Sequence, residues 1–129
     1  MTSMTFSNNQ KHVQAQPSTT LDYQAALDQV DGDEELLHDM IAVFLEYWPQ
    51  TQQALQTAVR LQDAHGLTQA AHSLKGAVSS LGAVAVRETA HTLEVLGRSG
   101  DLSAAPAWLE LLEAKMAAFL PALQSRQQG

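Results

Sequence analysis

Between Leu37 and Leu123, apolar residues return every three, four or seven positions, interrupted mainly by short clusters containing Gly, Asp or Pro. That recurrence is the mark of α-helices buried along one face. The stripe Leu37, Ile41, Phe44, Trp48, Leu55 and Val59 predicts one long helix, with Asp33 as its cap and Glu34 and Glu35 near its positive end. Pro49 lies inside it and is expected to kink the helix or break it in two. A third helix starts near Asp63, carries Leu67, Ala71, Leu74, Val78 and Leu81, and ends near Gly82. A fourth uses Val86, Ala90, Leu93 and Leu96 and is expected to stop at the segment Gly97 to Gly100. Beyond Pro106 a fifth uses Trp108, Leu112, Met116, Phe119 and Leu123, with Pro121 expected to fray or bend its end. A short first helix, from about Leu21 to Val30, precedes the turn Asp31-Gly32-Asp33. Four amphipathic helices with short connections make an antiparallel bundle, and the short one is expected to lie across one end.

The expected fold is therefore all-α, an antiparallel four-helix bundle with a short extra N-terminal helix, spanning residues 20–125. Residues 1–19 are polar and are expected to form a disordered tail, since they carry little apolar surface to offset ordering entropy. Residues 126–129 are expected to be a flexible C-terminus. The chain of 129 residues suffices for one domain with a sizeable core. It has no cysteine, so neither a disulfide nor a thiolate metal site is available. Fourteen acidic residues against seven basic ones give a net charge of −7, which opposes nucleic-acid binding. No apolar run is long enough for a membrane span and no signal peptide is visible, so a soluble cytoplasmic monomer is expected.

The most informative stretch is Ala71-His72-Ser73-Leu74-Lys75-Gly76. With the buried stripe of the third helix as origin, the helical repeat turns His72 about 140° away, Lys75 about 80° and Gly76 about 180°. His72 thus faces water, with Lys75 a turn further along. A neutral imidazole is a competent nucleophile toward an activated phosphoryl group, and the phosphorylated ring needs a cation nearby, which Lys75 can supply. Glycine in an exposed helix costs about 1 kcal/mol against alanine, so Gly76 needs a reason. Its missing side chain clears space beside His72 for phosphoryl oxygens and an incoming partner.

Ala71-His72-Ser73-Leu74-Lys75-Gly76, followed by Ser79, Leu81, Gly82 and Ala83, resembles the signature of histidine-containing phosphotransfer domains. Gly32 to Leu37, Phe44-Leu45, Pro49 and the acidic-apolar fourth helix extend the likeness over roughly residues 22 to 124. The resemblance implies a phosphocarrier without turnover of its own. His72 would accept a phosphoryl group from a phosphoaspartate on a receiver domain, of a response regulator or hybrid sensor kinase, and pass it to another. Lys75 and Gly76 match the family's supporting positions. The chain itself would need no cofactor, the Mg²⁺ being expected on the receiver. Candidate docking residues around His72 are Thr68, Gln69, Ser79 and Ser80.

Two other readings compete. Glu35/His38 and Glu88/His91 have the Glu-x-x-His spacing of carboxylate-bridged di-metal bundles. Measured from the buried stripes, however, these four residues point about 150°, 90°, 160° and 140° outward, whereas ligands of such a site project inward. No metal site is therefore expected. A non-catalytic helical interaction module is the other alternative, in which His72 does no chemistry. His12, in the tail, and His65, too far along the helix from His72, are given no role, and His38 and His91 are expected to be solvated.

Overall fold

The computed structural model describes residues 22–128. The expected tail, residues 1–19, lies outside the described residues. Five helices follow one another: α1 (Tyr23–Gln29), α2 (Glu34–Arg60), α3 (Ala64–Ser79), α4 (Val84–Ser99) and α5 (Ala105–Gln128). The three ahead of the site are capped alike. Asp22, Asp33 and Asp63 each turn a carboxylate oxygen back onto the first turn, accepting from the backbone N–H of Ala25 (3.0 Å), Leu36 (3.0 Å) and Gly66 (2.9 Å). Each cap satisfies a donor that the helix leaves orphaned and is worth about 1 kcal/mol.

The loops between the four long helices are short, so successive helices run antiparallel, and α5 closes the ring by packing on both α4 and α2. The expected stripes meet in the middle. Leu37, Ile41, Phe44, Trp48 and Leu55 of α2 face Leu67, Ala71, Leu74 and Val78 of α3, Val86, Ala90 and Leu93 of α4, and Leu112, Met116, Phe119 and Leu123 of α5. Phe44 and Phe119 meet edge-on with centroids 6.4 Å apart. α1 lies against the α3–α4 turn. There Gly82 has φ +71°, and a Cβ on it would stand 3.3 Å from the Asp22 carbonyl and 3.5 Å from the Ala26 nitrogen. Glycine is needed both for the left-handed backbone and for the approach of α1.

Two expectations are corrected. Pro49 does not break α2, which runs continuously from Glu34 to Arg60. Its ring is exposed, and the single backbone bond it forgoes is outweighed by the burial of Trp48 and Thr51 on either side. α4 ends inside the expected segment Gly97 to Gly100: Gly97 is a buried residue of its last turn, the helix continues to Ser99, and Gly100 closes it in the left-handed region. α5 continues through Pro121 to Gln128, past the expected boundary at residue 125, and Arg126 places its guanidinium 3.9 Å above the ring of Tyr23. Among the described residues no helix is long and apolar enough to cross a membrane.

Candidate functional site

α3 and α4 are the most intimately packed pair in the bundle, and the site lies on the seam between them. His72 is on the outer edge of α3 with 65% of its side chain exposed, as the helical repeat requires. Across the seam stands Glu94, completely buried. Its Oε2 lies 2.9 Å from His72 Nδ1 and 2.6 Å from Arg98 Nη2, one turn along α4. Its Oε1 is held by the ammonium of Lys75 at 2.7 Å, with His91 Nδ1 further off at 3.9 Å. Lys75 also donates toward His91 Nδ1 at 3.3 Å.

Burial alone would raise the pKa of Glu94. The contacts from Lys75 and His72 and the charges of Lys75 and Arg98 outweigh it and hold the carboxyl below its ordinary value of 4.5. Glu94 is thus an ionised acceptor near neutrality, and the nitrogen facing it must carry a proton. In neutral imidazole only one nitrogen does. With Nδ1 protonated toward Glu94, the lone pair of His72 resides on Nε2, the nitrogen that does not face the carboxylate. The arrangement parallels a carboxylate that orients a catalytic histidine and stabilises positive charge on its ring. Lys75 and Arg98 leave the cluster with one more formal positive charge than Glu94 cancels, a local basic spot on an acidic chain.

The sequence-level candidates fall into place unevenly. His72 and Lys75 are brought together through Glu94. Gly76 is exposed, and a Cβ on it would meet nothing within 4 Å, so no packing within the chain requires glycine there. Thr68 is turned toward α4, its hydroxyl bonded to the Ala64 carbonyl at 2.8 Å. Gln69 and Ser79 are exposed, Ser79 bonding back to the Lys75 carbonyl at 2.7 Å. Ser80 borders an open apolar groove of about 400 Å³ between α2 and α3, walled by Leu36, Met40, Val43, Tyr47, Ala77 and Leu81. The groove reaches the site through Tyr47, whose hydroxyl is 2.9 Å from Ser73 Oγ, next to His72.

His91, expected to be a solvated bystander, is exposed but belongs to the cluster through Lys75. Glu94, Arg98 and Tyr47 were not among the sequence-level candidates. Glu35, His38 and Glu88 are exposed, as is His91, and do not converge on the core. Among the described residues no group of three or more His, Cys, Asp or Glu is disposed to hold a metal ion.

An exposed histidine bonded to a buried carboxylate, on a four-helix bundle, is the feature to set beside known proteins. The family model of the Hpt domain matches residues 39–122. The chain belongs to the Hpt domain family. This Hpt domain is similar to histidine-containing phosphotransfer protein B (HptB) of Pseudomonas aeruginosa PAO1, whose crystal structure matches it with a TM-score of 0.75 at 29% identity, over 84% of this chain and 96% of that one. It is 31% identical over 101 residues to the signal transduction histidine-protein kinase BarA of Shigella flexneri, and equally to that of Escherichia coli strain K12. That match covers 75% of this chain but spans only 11% of each kinase. Members of the Hpt domain family are histidine phosphotransfer intermediates of phosphorelays.

Proposed function

We propose that His72 is the phosphoacceptor and that Nε2 is the attacking atom. The Nε2 lone pair attacks the phosphorus of a receiver's aspartyl phosphate. An N–P bond forms, the P–O bond to the aspartate breaks, and the receiver's carboxylate leaves with the electron pair. The ring takes up positive charge as its lone pair is consumed, and Glu94, 2.9 Å from Nδ1, stabilises it. In the reverse sense a second receiver's aspartate attacks the phosphorus, and because Nδ1 keeps its proton the ring departs as neutral imidazole. No net proton transfer is required in either direction.

The observation that carries this reading is the buried carboxylate on Nδ1 of an otherwise exposed histidine. Lys75 acts first on Glu94, keeping it ionised and oriented, and its charge is within a turn of the transferred group. Gly76 leaves the approach open. The chain is proposed to be a carrier with no cofactor and no turnover of its own, the receiver contributing Mg²⁺ and the groups that activate the acyl phosphate. The receiver is proposed to rest on the α2–α3 groove, whose apolar walls beside the nucleophile suit a small, transient interface. Mixing the protein with a phosphorylated receiver tests the whole: acid-labile phosphate should appear on His72 as the receiver loses it. A chain that stays unlabelled while receivers keep their phosphate would leave only the interaction-module alternative.

A further inference from the structure

Gly97 faces Thr68 across the α3–α4 seam, one helical turn from where Glu94 faces His72. Glycine within a helix costs about 1 kcal/mol relative to alanine, and here it is buried in the last turn of α4, where Gly100 and not Gly97 takes the left-handed conformation. The reason is distance. A Cβ at Gly97 would lie 2.8 Å from the Thr68 backbone nitrogen and 3.0 Å from the Ala64 carbonyl oxygen, and closer still to Thr68 Oγ1. Two of these atoms are backbone and cannot swing away. The third is anchored by its hydrogen bond to Ala64. Ordinary contact begins at about 3.5 Å, so any side chain at this position forces α4 off α3 by roughly half an ångström or more.

Glu94 is three residues before Gly97 on α4, and His72 four after Thr68 on α3, so separation at the Gly97 rung is passed directly to the carboxylate. The Nδ1 to Oε2 distance of 2.9 Å would then pass the limit of a useful bond, about 3.2 Å. We infer that Gly97 is a positioning residue for phosphotransfer: its bare backbone lets α4 approach closely enough for Glu94 to hold the His72 ring with Nε2 as nucleophile. This rests on the reading of His72 as phosphoacceptor, though its geometric half can be tested apart from it.

The test is Gly97→Ala in the full chain, with ring-nitrogen NMR shifts of His72 and single-turnover transfer from a phosphorylated receiver. Wild-type protein is expected to show the proton on Nδ1, and Gly97→Ala a shift toward the other tautomer. Transfer at saturating receiver should fall roughly tenfold, the lower end of the effect of disturbing an outer-shell partner. The half-saturating receiver concentration should not change, because the groove lies on the other flank of α3. In a Glu94→Gln background, Gly97→Ala should change the transfer rate less than about twofold, since residues acting through one contact are not additive. A folded Gly97→Ala protein with wild-type tautomer and rate overturns the proposal, as does an equal slowing in the Glu94→Gln background. Should Gly97→Ala fail to fold, Thr68→Ala/Gly97→Ala removes the nearest of the three atoms and keeps the backbone conflict; a wild-type tautomer in it has the same force. The tautomer is read without a receiver, so a wild-type chain that takes no phosphate defeats the proposed function and leaves this inference standing on its own result.

Discussion

Glu94 is fully buried, yet its Oε2 reaches Nδ1 of the largely exposed His72 at 2.9 Å, across a separation of 22 residues in the chain. A buried carboxylate needs compensation, and Lys75 and Arg98 provide it at 2.7 and 2.6 Å. The pair therefore divides two tasks. α4 holds the charge that orients the ring, and α3 leaves most of the ring in solvent, where the proposed function needs it.

His72→Gln should abolish phosphate acceptance and leave the bundle intact, because 65% of the side chain is in solvent and Glu94 keeps its contacts to Lys75 and Arg98. Thermal melts by circular dichroism should show a loss of no more than about 1–2 kcal/mol, the worth of one hydrogen bond to a charged group. Acid-labile phosphate persisting on the variant would move the acceptor elsewhere.

Glu94→Gln keeps the shape and removes the charge. The amide can either accept from Nδ1 or donate to it, so control of the tautomer is lost and transfer should slow by about tenfold or more. Stability should fall by about 1–3 kcal/mol, less than for a wholly buried pair, because Lys75 and Arg98 can turn to water. Denaturant titration alongside single-turnover transfer measures both. A variant that transfers at the wild-type rate would remove the carboxylate from the mechanism.

The same carboxylate fixes a pH dependence. Its folded pKa is depressed below 4.5, so the unfolded chain binds its proton first as pH drops. The stability that Glu94 contributes is complete above that value and fades as pH falls through the lower, folded one. The stability gap between wild type and Glu94→Gln should narrow as pH falls below 4.5. A gap that instead widened below pH 4.5 would mean that the carboxyl's pKa is not depressed in the folded protein.

Most of the fold was legible because periodicity reports burial. Leu67, Ala71, Leu74 and Val78 were marked as a stripe and all are fully buried. The same repeat placed His72 outward. Glu94 escaped because stripes are read from apolar letters, although it stands four residues after Ala90 and three before Gly97, inside the buried face of α4. A carboxylate in that register, with His91 and Arg98 one turn to either side, was the available signal. The segment Gly97 to Gly100 was read as the end of α4, and Gly100 does end it; that Gly97 also serves a close helix contact is shown only by the facing backbone of Thr68. The groove depends on how Met40, Val43 and Tyr47 of α2 stand beside Ala77 of α3 and Leu81 of the turn after it, a relation between elements that no single period contains.

Val43 is 65% exposed on the groove wall, an apolar side chain with little to hold it in the isolated chain. Val43→Asp should leave stability nearly unchanged and place an unpaired charge where a receiver's apolar surface would sit. The half-saturating receiver concentration should rise about tenfold, equivalent to about 1.4 kcal/mol, with the rate at saturation preserved. Unchanged receiver affinity would shift docking off the α2–α3 face.

Gly76 separates clearance from packing. A Cβ there meets nothing within 4 Å, so Gly76→Ala should stabilise the helix by up to about 1 kcal/mol and retain most of the transfer. Gly76→Gln should be equally well folded, but its longer side chain reaches over the face from which a receiver must approach His72. Transfer from a phosphorylated receiver should fall about tenfold, the effect of losing about 1.4 kcal/mol of productive docking. Labelling of His72 by a small phosphoramidate, which needs no docking surface, should be nearly unaffected. Both variants are read in the same two assays. Faster receiver transfer by Gly76→Gln, with equal or tighter binding, would show that the space beside the histidine serves no approaching partner.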